Sequence, residues 1–329
     1  MKTKYGRYIN SFRNRKILVI GDLMLDKYVY GTVARISPEA PVPVLDVSKE
    51  TYLPGGAGNV VNNLSELGAE VYLAAVIGRD QAAEQLLGIF RGKKGHAGRI
   101  RTEGLLSVTG RPTTIKTRII AQQQQVVRVD REQRRKIPAK LVAGILKHIR
   151  NTVSRVDGVL ISDYGKGVIL PEVLTEAISL SNKRGIPVTV DPKIENFMLY
   201  RDITCMTPNL NEAVTGMRAD PVKTDKDTEK LGKSIVNQLN CRSLIITRGS
   251  SGMSVFEKNK KPLNIPTMAK EVFDVSGAGD TVISTLTLCL ASGAPLKTSA
   301  EIANYAAGIV VGKFGTATVT AGELLGNIE

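Results

Sequence analysis

The sequence predicts an α/β fold: a doubly wound, mostly parallel sheet with helices on both faces, carrying a small β-sheet lid. Three observations predict it. Short runs of Val, Ile and Leu, each closed by a polar residue or glycine, recur along the chain. Segments with apolar residues at helical spacing separate them. Two proline-containing stretches with strand alternation break that rhythm in the first half. Strands that are apolar throughout, alternating with helices, belong to a parallel sheet buried on both sides.

In chain order, KILVIGD (16–22) reads as the first strand, AGNVVNNLSELG (57–68) as a helix closing on glycine, and AEVYLAAVIG (69–78) as the second strand. DGVLISD (157–163) is the third strand, followed by the helix LPEVLTEAISLSNKRG (170–185). IPVTVDP (186–192) and DITCMTPN (202–209) follow as strands. The helix TEKLGKSIVNQLN (228–240), the strand RSLIITRG (242–249) and the helix DTVISTLTLCLASG (280–293) complete the series. The interrupting stretches, about 27–53 and 111–130, flank the first strand–helix unit and together predict a projecting lid, so residues 1–329 are expected to form one domain with that lid.

Composition bounds the function. Cys205, Cys241 and Cys289 are odd in number, far apart and in apolar surroundings, which suggests neither a disulfide framework nor a zinc site and fits a reducing cytoplasm. No apolar run approaches the ~20 residues of a membrane helix, and the basic N-terminus has no apolar core after it. The formal net charge is +14, with basic clusters at 2–16, 91–101 and 131–136 that favour anionic partners. With 5% aromatics and no tryptophan, surfaces for stacking bases are scarce, so neither nucleic acid nor membrane is expected as a partner. His96 and His148 receive no role.

Open sheets of this kind bind ligands beyond the carboxyl ends of their strands. There the chain places Asp22, Asp163 to Lys166 (DYGK), Asp191-Pro192-Lys193, Asn209 to Glu212 (NLNE) and Thr247 to Gly252 (TRGSSG). DVSGAGD (274–280) sets small residues between two aspartates at a helix start. Amides of Gly277, Ala278 and Gly279 there would face an approaching anion with the positive end of the helix dipole. Asp280 is a poor phosphate ligand but well placed to take a proton from an attacking hydroxyl. The plain alternative is a tight turn with a helix-start acid.

These motifs resemble those of the ribokinase, or phosphofructokinase-B, family of sugar and nucleoside kinases. Its C-terminal signature is met by Asp274, Gly277, Ala278, Gly279 and Asp280, with Val275 in place of the usual Thr or Ser. The N-terminal signature is met by GGAGNVVNNLSELG (55–68) with Gly78, and Val61 and Thr285 stand where a smaller residue is usual. RISPEAPVPVL (35–45), SDYGKG (162–167), VDPK (190–193), TPNLNEA (207–213) and GTATVT (315–320) are further similar to kinases of D-glycero-β-D-manno-heptose 7-phosphate. The resemblance runs from about residue 12 to 320.

It implies ATP-dependent phosphorylation of that sugar at the anomeric C1 hydroxyl, giving the 1,7-bisphosphate on the way to the ADP-heptose of lipopolysaccharide. Asp280 would be the base and Gly277 to Gly279 the anion hole. Gly55, Gly56 and Asn59 would lie against the sugar. Asp22 is the first choice for a pair of hydroxyls, or caps a turn instead; Asp163 and Lys166 follow. Lys116, Arg118 and Arg128 in the lid are candidates for the 7-phosphate, and Lys166 or Lys193 for phosphate in general. Asn209 and Glu212 would help hold Mg2+ and the triphosphate, with Glu212 as the metal-side acid. Lys193, Thr247, Gly249, Gly252 and Asn304 complete the nucleotide side, and a monovalent cation beside the anion hole is left open. A homodimer through the lid is expected, and a nucleotidyltransferase domain is not. Two alternatives stay open: a kinase of another sugar or sugar phosphate, and a non-catalytic sugar- or nucleic-acid-binding protein on the same fold.

Overall fold

The computed structural model describes residues 4–92, 98–133, 135–269, 271–313 and 315–328. His96 and parts of the three basic clusters lie outside them. Helix α1 (Gly6–Ile9) leads to β1 (Lys16–Gly21), and the long strands β2 (Leu23–Ile36) and β3 (Pro43–Gly56) follow. Then come α2 (Ala57–Glu66), β4 (Glu70–Gly78), α3 (Gln81–Gly92), β5 (Ile100–Val108), β6 (Thr114–Ala121) and β7 (Gln124–Arg131). The middle holds α4 (Ala139–Val153), β8 (Gly158–Ser162), α5 (Pro171–Arg184), β9 (Val188–Asp191), β10 (Cys205–Met206), α6 (Leu210–Gly216) and α7 (Asp225–Leu239). Strands β11 (Ser243–Thr247), β12 (Met253–Glu257) and β13 (Leu263–Ile265) precede α8 (Ala278–Ala291), α9 (Leu296–Val311) and α10 (Ala321–Ile328).

Nine strands form the large sheet in the order β13-β12-β11-β10-β9-β8-β1-β4-β5. It is parallel from β11 to β5, and β12 and β13 add an antiparallel edge. Its central strands are apolar on both faces because each face meets helices. Ile17 and Val19 of β1 join α2, α8 and α9 in one core; Leu18 and Ile20 join α4, α5 and α7 in the other. The expected parallel, doubly wound sheet is therefore present.

The small sheet has the order β3-β2-β6-β7, antiparallel at both sides and parallel between β2 and β6. Its strands exceed the expected stretches at the root: pairing starts at Leu23↔Gly56. The lid thus grows directly out of Asp22 on one side and the Gly55-Gly56 turn on the other. The expected strand at 202–209 shrinks to Cys205–Met206. Asp202 turns the chain with φ +58°, and Pro208 has no N–H with which to extend the ladder. The hairpin β12–β13 and helices α3, α4, α9 and α10 had no counterpart in the strand and helix reading. No described helix is long and apolar enough to cross a membrane.

Candidate active site

Helices α2 and α8 begin side by side at the sheet's carboxyl edge, and a polar ladder locks them. Asn59 Nδ2 donates to Asp280 Oδ2 at 2.7 Å, Asn63 Nδ2 to Asn59 Oδ1 at 3.3 Å, and Thr281 Oγ1 to Asn63 Oδ1 at 2.9 Å. All four side chains are buried. Such a ladder leaves the Asn59 amide one orientation, donor towards Asp280. Gly56, the N-cap of α2 at φ +56°, packs where a Cβ would come within 2.7 Å of the Asp22 carbonyl oxygen, so the turn admits only glycine.

Asp280 is the centre of the site. Its Oδ1 accepts from Tyr164 Oη at 2.9 Å, so each oxygen has a donor. Burial pushes the carboxyl up from 3.8 to about 6; the Asn59 and Tyr164 bonds pull it back, and the charge of Asp26 adds to the rise. The group is thus an ionised but basic carboxylate near neutral pH. Gly277, at φ +82°, turns the chain into α8. The amide of Ala278 donates to the Val275 carbonyl at 3.2 Å, so this expected anion donor is spent in the turn. The first-turn amides of Gly279 and Asp280 have no intrahelical acceptor, and nothing lies within 4 Å of where a Gly279 Cβ would sit. Val275 is exposed, which is why its departure from Thr or Ser disturbs no packing.

Three residues expected at the sugar are engaged elsewhere. Asp22 accepts from the amides of Tyr164 (3.1 Å), Lys166 (2.9 Å) and Val168 (3.0 Å); the turn-capping alternative describes it. Burial raises its carboxyl, and the amides offset the rise. Asp163 accepts from Gly165 N, Asn196 Nδ2 and Tyr200 Oη. Lys166 Nζ pairs with Glu132 at 2.5 Å. All three shape the 163–168 loop.

Asp26, absent from the candidates named above, is the carboxylate beside the Gly55-Gly56 turn. It is buried, it pairs with Arg118 at 2.6 Å, and its Oδ2 lies 2.4 Å from where a Gly55 Cβ would be. Gly55 therefore makes room for this carboxylate. A buried acid in the apolar run LMLDKYV was the available signal. Arg118 also covers the Tyr28 ring at 5.2 Å. Asp130 pairs with Lys116 across the β6–β7 ladder at 3.3 Å and with Arg128 two residues along its own strand at 2.9 Å. The strand register puts Asp26, Lys116, Arg118, Arg128 and Asp130 on one lid face.

On the other flank, Asn209 and Glu212 form a reciprocal capping box for α6, with 2.9 Å in both directions. Glu212 Oε2 is used in that cap. Asp191, at the end of β9, is raised well above the usual carboxylate range by burial first and then by Asp280 and Glu212; Lys193 offsets this. Burial likewise raises Glu212, against the Asn209 amide and Lys193. Mutually repelling acids fit a divalent cation. No group of three or more described His, Cys, Asp or Glu residues is spaced to hold one by itself, so a Mg2+ there would rest on waters and phosphate oxygens. Thr247 bridges to Asn209. Gly249 (φ +56°) and Gly252 (φ +79°) form the β11–β12 turn, the plain reading of those glycines. Asn304 is buried and donates to the Pro266 carbonyl at 2.6 Å. His148 packs half-buried on Gly104, away from all of these.

Residues 14–321 match the family model for pfkB family carbohydrate kinases. The chain belongs to that family. As a pfkB-family carbohydrate kinase it is 44% identical over 314 residues to the bifunctional protein HldE of Trichlorobacter lovleyi, covering 95% of this chain and 63% of that one. With HldE of Geobacter sulfurreducens the identity is 43% over 311 residues, 94% of this chain and 62% of the other. The kinase thus spans under two thirds of the length of these curated relatives. Among solved structures it is similar in fold to Arabidopsis thaliana ribokinase complexed with ribose and ATP, at TM-score 0.75 and 18% identity over 96% of this chain and 99% of that one. Escherichia coli phosphofructokinase-2 with substrates and products gives 0.77 and 18% over 95% and 97%. The expected ribokinase-like fold and sugar-kinase class agree with these findings.

Proposed function

We propose that this kinase transfers the γ-phosphoryl group of ATP to the anomeric C1 hydroxyl of D-glycero-β-D-manno-heptose 7-phosphate, giving the 1,7-bisphosphate for ADP-heptose and lipopolysaccharide core synthesis. One observation carries the phosphoryl-transfer reading: a buried carboxylate, Asp280, raised to about 6 at the start of α8 beside first-turn amides that have no intrahelical acceptor. Asp280 takes the C1 hydroxyl proton as that oxygen attacks the γ-phosphorus; the bond to ADP breaks and ADP leaves with its electron pair. The amides of Gly279 and Asp280 stabilise the equatorial oxygens. Asp26 and Asn59 receive sugar hydroxyls over the Gly55-Gly56 turn.

Lys116 and Arg128, whose partner Asp130 is shared, are the cations for the 7-phosphate. Lys193 faces the triphosphate, with Asn209, Thr247, Gly249, Gly252 and Asn304 shaping the nucleotide side. Asp191 and Glu212 would hold Mg2+ through water; bound there, it would screen the phosphate charge. Two copies pair through their lids. The heptose assignment rests on the segments at 35–45, 162–167, 190–193, 207–213 and 315–320.

The test is ATP consumption with the heptose 7-phosphate beside ribose, fructose and fructose 6-phosphate, with product phosphates located by phosphorus NMR. A 1,7-bisphosphate formed from the heptose alone is expected. Preference for another sugar removes the substrate and keeps the chemistry. Asp280→Asn should lower kcat by about 10²–10⁴-fold with ATP still bound; wild-type turnover in that variant would remove the base.

A further inference from the structure

The roots of the lid and the loop that carries Tyr164 meet at one side chain, Arg111. It stands just before β6. Its Nη1 donates to the Arg135 carbonyl at 2.6 Å, and its Nη2 to the carbonyls of Gln133 (2.9 Å) and Lys166. Residues 133 and 135 follow β7, so one guanidinium joins both lid roots to the 163–168 loop. The fork is rigid and planar, which makes the joint a fixed one. Burial lowers its tendency to stay charged, against the support of the nearby Asp22 carboxylate.

Other ties act on the same loop. Lys166 pairs with Glu132 at the lid root, and Gly167, at φ +97°, packs where a Cβ would be 2.8 Å from the Arg135 carbonyl oxygen. Asp22 holds three of the loop's amides. From this loop Tyr164 reaches Asp280. We propose that Arg111 is a positioning residue that couples the lid roots to the catalytic base, by holding the loop where the Tyr164 hydroxyl meets Asp280. The proposal deepens the phosphoryl-transfer reading and rests on it. Lid movement over a bound sugar is then transmitted to one of the two hydrogen bonds, with that of Asn59, that offset the burial of Asp280.

Asp280 is faced by Asn59 from α2, Tyr164 from the loop and Asp26 from β2. Asp191 at the end of β9 feels it in turn, with Glu212, Asp163 and Lys193 around Asp191. Tyr164 is the donor on the clasped loop. Losing it removes a hydrogen bond to the ionised form, so the carboxyl titrates higher and the acid limb of kcat/KM moves to higher pH.

The experiment compares pH–rate profiles of wild type, Tyr164→Phe, Arg111→Met and the double variant, using the sugar that supports turnover. Tyr164→Phe should move the acid limb up by about one pH unit. Arg111→Met should move it the same way, with kcat down about tenfold, and the double variant should match Tyr164→Phe alone. An unmoved limb in Arg111→Met, or additive shifts in the double variant, overturns the coupling. Should Arg111→Met fail to fold, Glu132→Gln frees Lys166 and loosens the same clasp; an unmoved limb there overturns the proposal equally. Turnover by Asp280→Asn would sink the base assignment itself, whereas an inactive Asp280→Asn with an unmoved Arg111→Met limb sinks only the coupling.

Discussion

Asp280, the proposed base, carries a cost in stability that follows from its burial. Its folded-state carboxyl titrates at about 6 instead of 3.8 because burial disfavours the charge. The folded protein therefore binds this proton more tightly than the unfolded chain. Stability from this group is full below pH ~4, declines as pH rises through ~6, and leaves a net cost at pH 7 and above. Asp280→Asn removes that cost and can still accept from Asn59. The variant should be more stable than wild type at pH 8, on the order of 1–3 kcal/mol, and the gap should narrow at pH 5. Thermal melts at the two pH values check this; a variant less stable than wild type at pH 8 would show that Tyr164 and Asn59 more than offset the burial.

At the scale of elements, the site is where four chain segments meet: β2 begins, β3 turns into α2, the β8–α5 loop folds over, and α8 starts. Gly55 is the tightest joint among them. Gly55→Ala would drive a Cβ to 2.4 Å from Asp26 Oδ2, and the carboxylate, tied to Arg118, must shift. Sugar KM should rise at least about tenfold while ATP KM stays near wild type, since a misplacement of about 1 Å can cost that much; equal changes in both would mean a general distortion. The sequence made these joints partly readable. Apolar runs buried on two faces, such as KILVI, and helices closed by glycine, such as α5 ending at Gly185, declare themselves through composition. The glycine signatures mark the joints beside Asn59 and Asp280 because Gly56 (φ +56°) and Gly277 (φ +82°) adopt backbone that other residues rarely reach. Asp26 stayed hidden because strand alternation gives a face, not which face is the pocket. Asp22, Asp163 and Lys166 invite a ligand reading because an acid or lysine at a strand end marks the site's edge, and for Asp22 a turn cap is the alternative. Whether the chain's own amides fold back to claim it depends on a loop path with no periodicity. Tyr164 and Arg111 were missed likewise, since their roles consist of contacts between segments far apart in sequence.

Across the whole molecule, the lid is the least covered part. Every residue of β7 is exposed, and β7 and β3 are both open edges. Val47 at 56% exposure, Val127 at 45% and Val129 at 55% put apolar side chains in solvent on these two strands. Uncovered edges with β-branched apolar residues invite another strand, and in a homodimer the second copy's lid supplies it. The cover would also fix the opposite face, where Lys116, Arg118 and Arg128 stand, so pairing and sugar-phosphate binding should rise and fall together. Replacing Val127 and Val129 with lysine places like charges on the outer strand, and if the lids pair it should leave a monomer by light scattering where the wild type is a dimer. In the same variant the sugar KM should rise more than the ATP KM, because the lid loses its support while α8 and the nucleotide side keep theirs. A wild-type protein already monomeric at assay concentration would refute lid pairing, and a monomeric variant with unchanged sugar KM would separate assembly from binding.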